Sequence, residues 1–223
     1  MDFAIIEPMK KRVLLLGILG LAALVAARAE AASKVEEPKF KIVEDHDHIQ
    51  IREYEPMVIA EVELSGTEQS VLDKGFRILA DYIFGRNLPA SGGREKIAMT
   101  SPVSAQSRAK GDKIPMTAPV TAQSSGSVWK VRFTMPAGRT LKNLPKPEDD
   151  RIELIEVPPK RVAVIRFAGF GSEETMNRKA KELRDFLDRF HFKSEGEPVY
   201  AYYNPPWTLP FLRRNEVQIA VIN

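Results

Sequence analysis

Ile49-Gln50-Ile51-Arg52-Glu53-Tyr54-Glu55-Pro56-Met57-Val58-Ile59-Ala60-Glu61-Val62-Glu63-Leu64-Ser65-Gly66 returns in altered form 103 residues later, as residues 152–169. Ile49 and Ile152, Glu53 and Glu156, Pro56 and Pro159, Ala60 and Ala163, and Gly66 and Gly169 coincide. Each copy runs as an extended stretch to a proline, which cannot donate to a ladder, and then resumes until glycine stops it. Strand, turn, strand is the reading of both.

Each copy leads into a helix. After the first, Leu72, Phe76, Leu79, Ile83 and Phe84 recur at spacings suited to one apolar stripe, which stops at Gly85. After the second, Ser172 is placed to cap a helix that opens with Glu173 and Glu174. Its stripe is Met176, Ala180, Leu183, Leu187 and Phe190. His191, just beyond, suits electrostatic capping of that helix end.

Extended segments follow each helix: residues 128–135 in the first half, 199–203 and 216–222 in the second. The first half also says one phrase twice. Lys96-Ile97-Ala98-Met99-Thr100-Ser101-Pro102-Val103-Ser104-Ala105-Gln106 is echoed by Lys113-Ile114-Pro115-Met116-Thr117-Ala118-Pro119-Val120-Thr121-Ala122-Gln123, with eight of eleven positions identical. Each phrase is a strand that ends, bulges or lies at an edge near its Pro-Val. The expectation is an α+β fold, with a pseudo-twofold pair of β-β-α-β-β units forming a distorted antiparallel β-barrel onto which two helices pack.

Composition bounds what such a domain does. Of 223 residues 43% are hydrophobic and 28% charged, enough for one well-buried core plus an appendage. The net charge of +3 is spread, with Lys and Arg interleaved among acids, so no nucleic-acid stripe forms. The appendage is residues 1–32. Lys10-Lys11-Arg12 precedes an apolar run, 13–27, that suits a signal-peptide core and is short for a bilayer span. Ala27-Arg28-Ala29 and Ala29-Glu30-Ala31 offer small-x-small cleavage patterns; an uncut N-terminal anchor is the alternative. A charged linker, 33–39, leads to the folded part, 40–223. The chain has no cysteine, hence no disulfide framework and no thiolate ligand.

Five motifs in order carry a family resemblance. They are Ile-Arg-x-Tyr-x-Pro at 51–56, the Lys-Ile-x-Met-Thr-x-Pro-Val phrases, Gly-Phe-Gly at 169–171, Tyr-Asn-Pro-Pro-Trp at 203–207 and Arg-Arg-Asn-Glu-Val at 213–217. Together they resemble the SOUL haem-binding family over residues 40–223. The resemblance implies a barrel of duplicated halves, similar to gyrase-inhibitor-like ligand-binding domains, and binding of haem or another tetrapyrrole. In some members a histidine stands between the Arg and Tyr of the first strand, whereas this chain has Glu53 there.

Candidate ligand-holding residues follow. His46 and His48 share one face if 45–51 is extended, which makes them the candidate metal or haem-iron ligands; a solvated strand entrance is the competing reading. A porphyrin is a flat apolar disc bearing carboxylates, so an apolar groove with cations at its rim can hold it without a strong axial ligand. Leu72, Phe76, Leu79 and Ile83, with Lys74 and Arg77 nearby, offer one such surface, or else face the sheet as core. Met99 and Met116 pack the barrel or touch the ligand. Trp207 belongs to a loop that either closes the barrel or rims the cleft, and Arg213 and Arg214 pair with propionates or with Glu216.

Catalytic signatures are weak: there is no Gly-x-Ser-x-Gly elbow and no dense His spacing. Glu148-Asp149-Asp150 reads as solvated loop. The reading is an exported, monomeric, non-enzymatic binding protein for haem or porphyrin, meeting membrane only through its N-terminal segment if uncut. A binding module for a different small apolar ligand is the first alternative. A small hydrolase using Glu53 or Glu156 in a cleft is the second.

Overall fold

The structure is a computed structural model that describes residues 35–107 and 128–222. Residues 1–34, where a leader is expected, and the second copy of the doubled phrase, Met116 included, lie outside the described residues. The chain divides at Val35/Glu36, and the described residues from Glu36 onward belong to the second unit, Glu36–Asn223.

Among the described residues nine strands form one antiparallel sheet. They are β1 (Phe40–His46), β2 (Ile49–Tyr54), β3 (Met57–Ser65), β5 (Val103–Ser107), β6 (Val128–Thr134), β8 (Ile152–Val157), β9 (Lys160–Phe167), β10 (Lys193–Tyr202) and β11 (Asn215–Ile222). Two short strands, β4 (Asn87–Leu88) and β7 (Lys146–Pro147), pair separately. The order across the large sheet is β1-β2-β9-β11-β10-β5-β6-β3-β8.

Without β1 this order is a palindrome of equivalents: β2 answers β8, β9 answers β3, β11 answers β6, and β10 answers β5. The 103-residue offset carries Ile49–Tyr54 onto Ile152–Val157, the observed bounds of β2 and β8. The first strand of each half is lent to the other. β2 pairs with β9, and β8 pairs with β3.

The sheet is open, which corrects the expected barrel. Closure would need the free edges of β2 and β8 to meet, and β1 occupies the edge of β2 through the register Phe40↔Tyr54 to His46↔Ile49. Residues 40–46 lie outside the repeated unit, so the repeat itself does not announce this added strand.

Helix α1 (Glu68–Ile83) packs on β3, β5 and β6, and α2 (Glu173–Arg189) on β9, β10 and β11, within one continuous core. Thr67 caps α1 by accepting from the Ser70 N–H, and Ser172 caps α2 by accepting from the Thr175 N–H, as its position in sequence suggests. The α2 stripe is buried from Met176 to Leu187, whereas Phe190 is half exposed. On α1 the buried line is Val71, Gly75, Leu79, Tyr82 and Ile83, so Phe76 and Phe84 turn outward. Gly75 sets that rotation: a Cβ there would lie 2.7 Å from Val131 of β6. In the first doubled phrase, β5 begins at Val103, directly after Pro102, and it lies in the middle of the sheet, between β10 and β6.

Candidate functional site

Alternation along the strands divides the sheet into two faces. Val58, Ala60 and Val62 of β3, Val131 and Phe133 of β6, and Val217 and Ile219 of β11 point to the helices and are buried. Their neighbours of opposite parity point to the other face, where the sheet curls around a cavity of about 390 Å³. Met57, Ile59, Ile155, Val162 and Val199 give it apolar lining, and Glu61, Lys130, Arg132 and Lys160 give it charge. Strands from both ends of the order contribute, so the groove exists because of the curl.

Two buried charge clusters stand at this face. Glu61 accepts from Lys130 Nζ at 2.5 Å and Arg132 Nε at 2.6 Å, and Arg132 also donates to Gln106 Oε1 at 2.8 Å. Burial raises the Glu61 pKa, but the two cations outweigh it and hold the carboxyl below its ordinary value. In the second cluster Glu216, fully buried, accepts from Arg52 at 3.1 Å, from Arg214 at 2.8 Å and from Tyr203 Oη at 2.7 Å. Burial opposes ionisation of Glu216, yet Arg52 and Arg214 leave its pKa lowered. Burial, then the neighbouring Glu216 charge, pushes the phenols of Tyr54 and Tyr203 upward.

Lys160 differs from these groups. It reaches solvent at the groove while protein packed around it strips part of its hydration, and burial and then the like charge of Arg132 lower its pKa. It makes no ion pair among the described residues. Its ammonium is therefore ready for an anion.

The residues singled out in sequence fall elsewhere. Leu79 and Ile83 are core; Leu72 packs against that core, and Phe76 meets Phe133 edge-on at 5.5 Å. Lys74 and Arg77 are exposed on the outer side of α1. His46 and His48 do not share an extended face, because Asp47-His48 is the turn joining β1 to β2, with Asp47 at φ 64°. His46 bonds Glu44 at 3.1 Å and lies against Phe186, while His48 bonds Glu182 of α2 at 2.9 Å. Among the described residues no three His, Asp or Glu side chains gather into a metal-holding group.

Trp207 is 83% exposed and outside the groove lining; Tyr203, from the same loop, is the residue that reaches the groove. Arg213 donates to the backbone oxygens of Thr208 and Pro206, and Arg214 takes the pairing with Glu216. Glu53 and Glu156 are exposed. Met99 is 39% exposed, and Asp149 of the acidic loop pairs with Arg151.

Sequence reasoning missed Glu61, Lys130, Arg132, Lys160 and the Arg52–Glu216 pair. The available signal was β3 itself: Met57-Val58-Ile59-Ala60 is apolar at both parities, as a strand covered on both faces must be.

Comparison with known proteins agrees with the duplicated architecture. The family model described as SOUL heme-binding protein matches residues 35–111 and again 104–220. No curated protein matches the chain. Among solved structures, the C-terminal domain of EcmrR is similar with a TM-score of 0.57 at 11% identity, over 78% of this chain and 97% of that one. EcmrR in its complex with DNA gives 0.54 at 10%, over 96% and 69%. A hydrolase from Listeria innocua gives 0.50 at 12%, over 78% and 91%. At such identities the likeness speaks for the fold alone.

Proposed function

The chain belongs to the SOUL haem-binding family, and on that premise we propose that it is a non-catalytic binding protein that holds haem or a related tetrapyrrole, non-covalently, in the open groove of its sheet. The observation that carries this reading is Lys160, an exposed cation at the groove with no acid partner among the described residues and apolar walls beside it. A carboxylate-bearing disc asks for that pairing of features.

The lining fits the group in part. A cavity of about 390 Å³ lies in the range of small-molecule pockets, and Met57, Ile59, Val162 and Val199 supply apolar area for burial. Lys130 and Arg132 are both held by Glu61, a cluster that keeps one net positive charge, and Lys160, with no acid partner among the described residues, is the cation placed to meet a propionate. Tyr54 and Tyr203 line the groove, but their raised pKa values keep the phenols protonated and unsuited to ligating iron. The thioether of Met57 is the remaining ligand type among the described lining residues. Haem, when bound, would bring a redox-active, strongly absorbing iron centre. This chain's residues would contribute burial, orientation and charge, which suits carriage, buffering or sensing.

Residues 10–27, a basic triplet and an apolar run, support export of the domain. With this groove as the site, the protein would act as a monomer that takes up one ligand.

Titration with hemin tests the reading. A saturable Soret shift ending at one equivalent is expected, unchanged when His46 and His48 are both replaced by Ala. Lys160→Glu should weaken binding roughly tenfold, the scale of one charge-assisted hydrogen bond. Val199→Trp, which fills the groove, should abolish it. A Val199→Trp variant that binds as the wild type does would refute the groove as the site.

A further inference from the structure

The loop that leaves β10 presents large apolar side chains to water on a frame built to keep them there. Trp207, Phe211, Leu209 and Leu212 are 83%, 70%, 55% and 44% exposed, and Phe170 beside them is 63% exposed. Collapse would be the ordinary fate of such side chains on a slack loop. This loop is not slack.

Three prolines, Pro205, Pro206 and Pro210, restrict its backbone. The Thr208 N–H donates to Pro205 O at 3.0 Å and the Leu212 N–H to Leu209 O at 2.9 Å. Arg213 reaches back to the Thr208 oxygen at 2.7 Å and to the Pro206 oxygen, and its guanidinium lies 5.3 Å from the centre of the Phe170 ring. The Gly169 N–H donates to Pro210 O at 2.9 Å, which fastens the Phe170 turn to the loop. Two segments far apart in sequence thus present one apolar surface.

The path of the chain says what covers it. Arg214, next to this loop, holds Glu37 through two bonds of 3.0 and 2.9 Å, so the N-terminal end of the domain is pinned at the loop's base. Nine residues separate Glu37 from Ala27, the last of the apolar run, and the ten steps from one to the other reach at most about 36 Å. A run that meets a membrane brings this surface to within that reach of the lipid. Its chemistry, tryptophan and phenylalanine with leucines beside an arginine, is that of the head-group boundary. No described helix is long and apolar enough to cross a membrane, so the contact is interfacial.

We propose that the 203–213 loop, together with Phe170, is a membrane-interface anchor that seats Trp207 and Phe211 among the lipid head groups. Of this loop only Tyr203 lines the groove, and none of the exposed apolar side chains does, so a loss of hemin binding leaves the proposal standing.

Trp207 is its own reporter. The only other tryptophan, Trp129, is 7% exposed, and residues 1–34 contain none. The full chain is mixed with phosphatidylcholine–phosphatidylglycerol vesicles carrying bromine on the acyl chains near the head groups. Expected are a blue shift and strong quenching, both absent in Trp207→Phe, with quenching reduced in Phe211→Ser combined with Leu209→Ser. If the chain floats with the vesicles while Trp207 stays unquenched, the N-terminal segment alone holds it and the proposal fails. A concentration-dependent blue shift without lipid, and no quenching with it, would assign the surface to a second copy and overturn the proposal equally. Absence of both flotation and quenching would also end it.

Discussion

Glu216 shows how much one residue can carry without touching a ligand. Its carboxylate is fully buried and receives donors from Arg52, Arg214 and Tyr203, so three separate segments converge on it. Removing the charge strands the buried Arg52 guanidinium and leaves Arg214 with Glu37 alone, and Glu216→Gln should destabilise the fold by about 3–5 kcal/mol at neutral pH. Its folded pKa lies below the unfolded one, so its contribution is complete above the unfolded value and fades as pH falls through the folded value. Glu61 behaves alike. Glu68, raised by burial and by Glu173, acts in the opposite sense, adding stability at low pH that is lost as pH rises through its folded value. In denaturant unfolding, the stability gap between wild type and Glu216→Gln should therefore begin to narrow as pH falls below about 4.5, near the unfolded glutamate pKa, and close only below the lower folded value. A gap as wide at pH 3 as at pH 7 would contradict this assignment. Pairing of an arginine with Glu216 was one reading of Arg-Arg-Asn-Glu-Val, and Arg214 makes it; the burial of Glu216 and its bonds to Arg52 and Tyr203 were not visible in the letters. A charged residue on a strand reads as the solvated parity until the curl of the sheet and the Tyr203 loop close over it.

Elements were more legible than sites, because caps and turns are local. Ser172 before two glutamates and Gly85 after an apolar stripe mark helix ends with residues whose chemistry suffices. The rotation of α1 was not legible, since Gly75 matters only through its approach to Val131 of another element. Both helices end in the same hydrogen-bonding pattern. The Arg86 N–H donates to Asp81 O and the Gly85 N–H to Tyr82 O; in α2 the Phe192 N–H donates to Leu187 O and the His191 N–H to Asp188 O. The residue in the left-handed position is Gly85 in the first helix and His191, at φ 59°, in the second. The sequence expectation of a histidine acting on the helix end thus acquires a backbone meaning. His191→Gly removes the side-chain penalty and should stabilise the protein by roughly 1 kcal/mol, about 3 °C in melting temperature. A lower melting temperature would mean that the imidazole's interaction with the helix end outweighs the strain.

At the scale of the whole molecule, the duplication was readable and its pairing was not. An offset of 103 residues reveals two units, but it cannot say that each first strand crosses to the other half, nor that β1 covers the edge a barrel would need. Crossing predicts that neither half is self-sufficient. Residues 36–145 alone lack β9, the partner of β2, and leave β3 without β8. That fragment should show no folded monomer by circular dichroism and sedimentation, and mixing it with 146–223 should restore a cooperative melt. A cooperative, monomeric melt of 36–145 by itself would rule out this dependence.

The lent strands also bear on dilution. Two separate single-unit chains would have to find each other before either completed its sheet, and their melting would shift with concentration. Covalent joining turns that encounter into ring closure within one molecule, whose entropic cost grows only as the logarithm of the tether. Extra residues inserted between the units should therefore be tolerated far better than a cut at the same place.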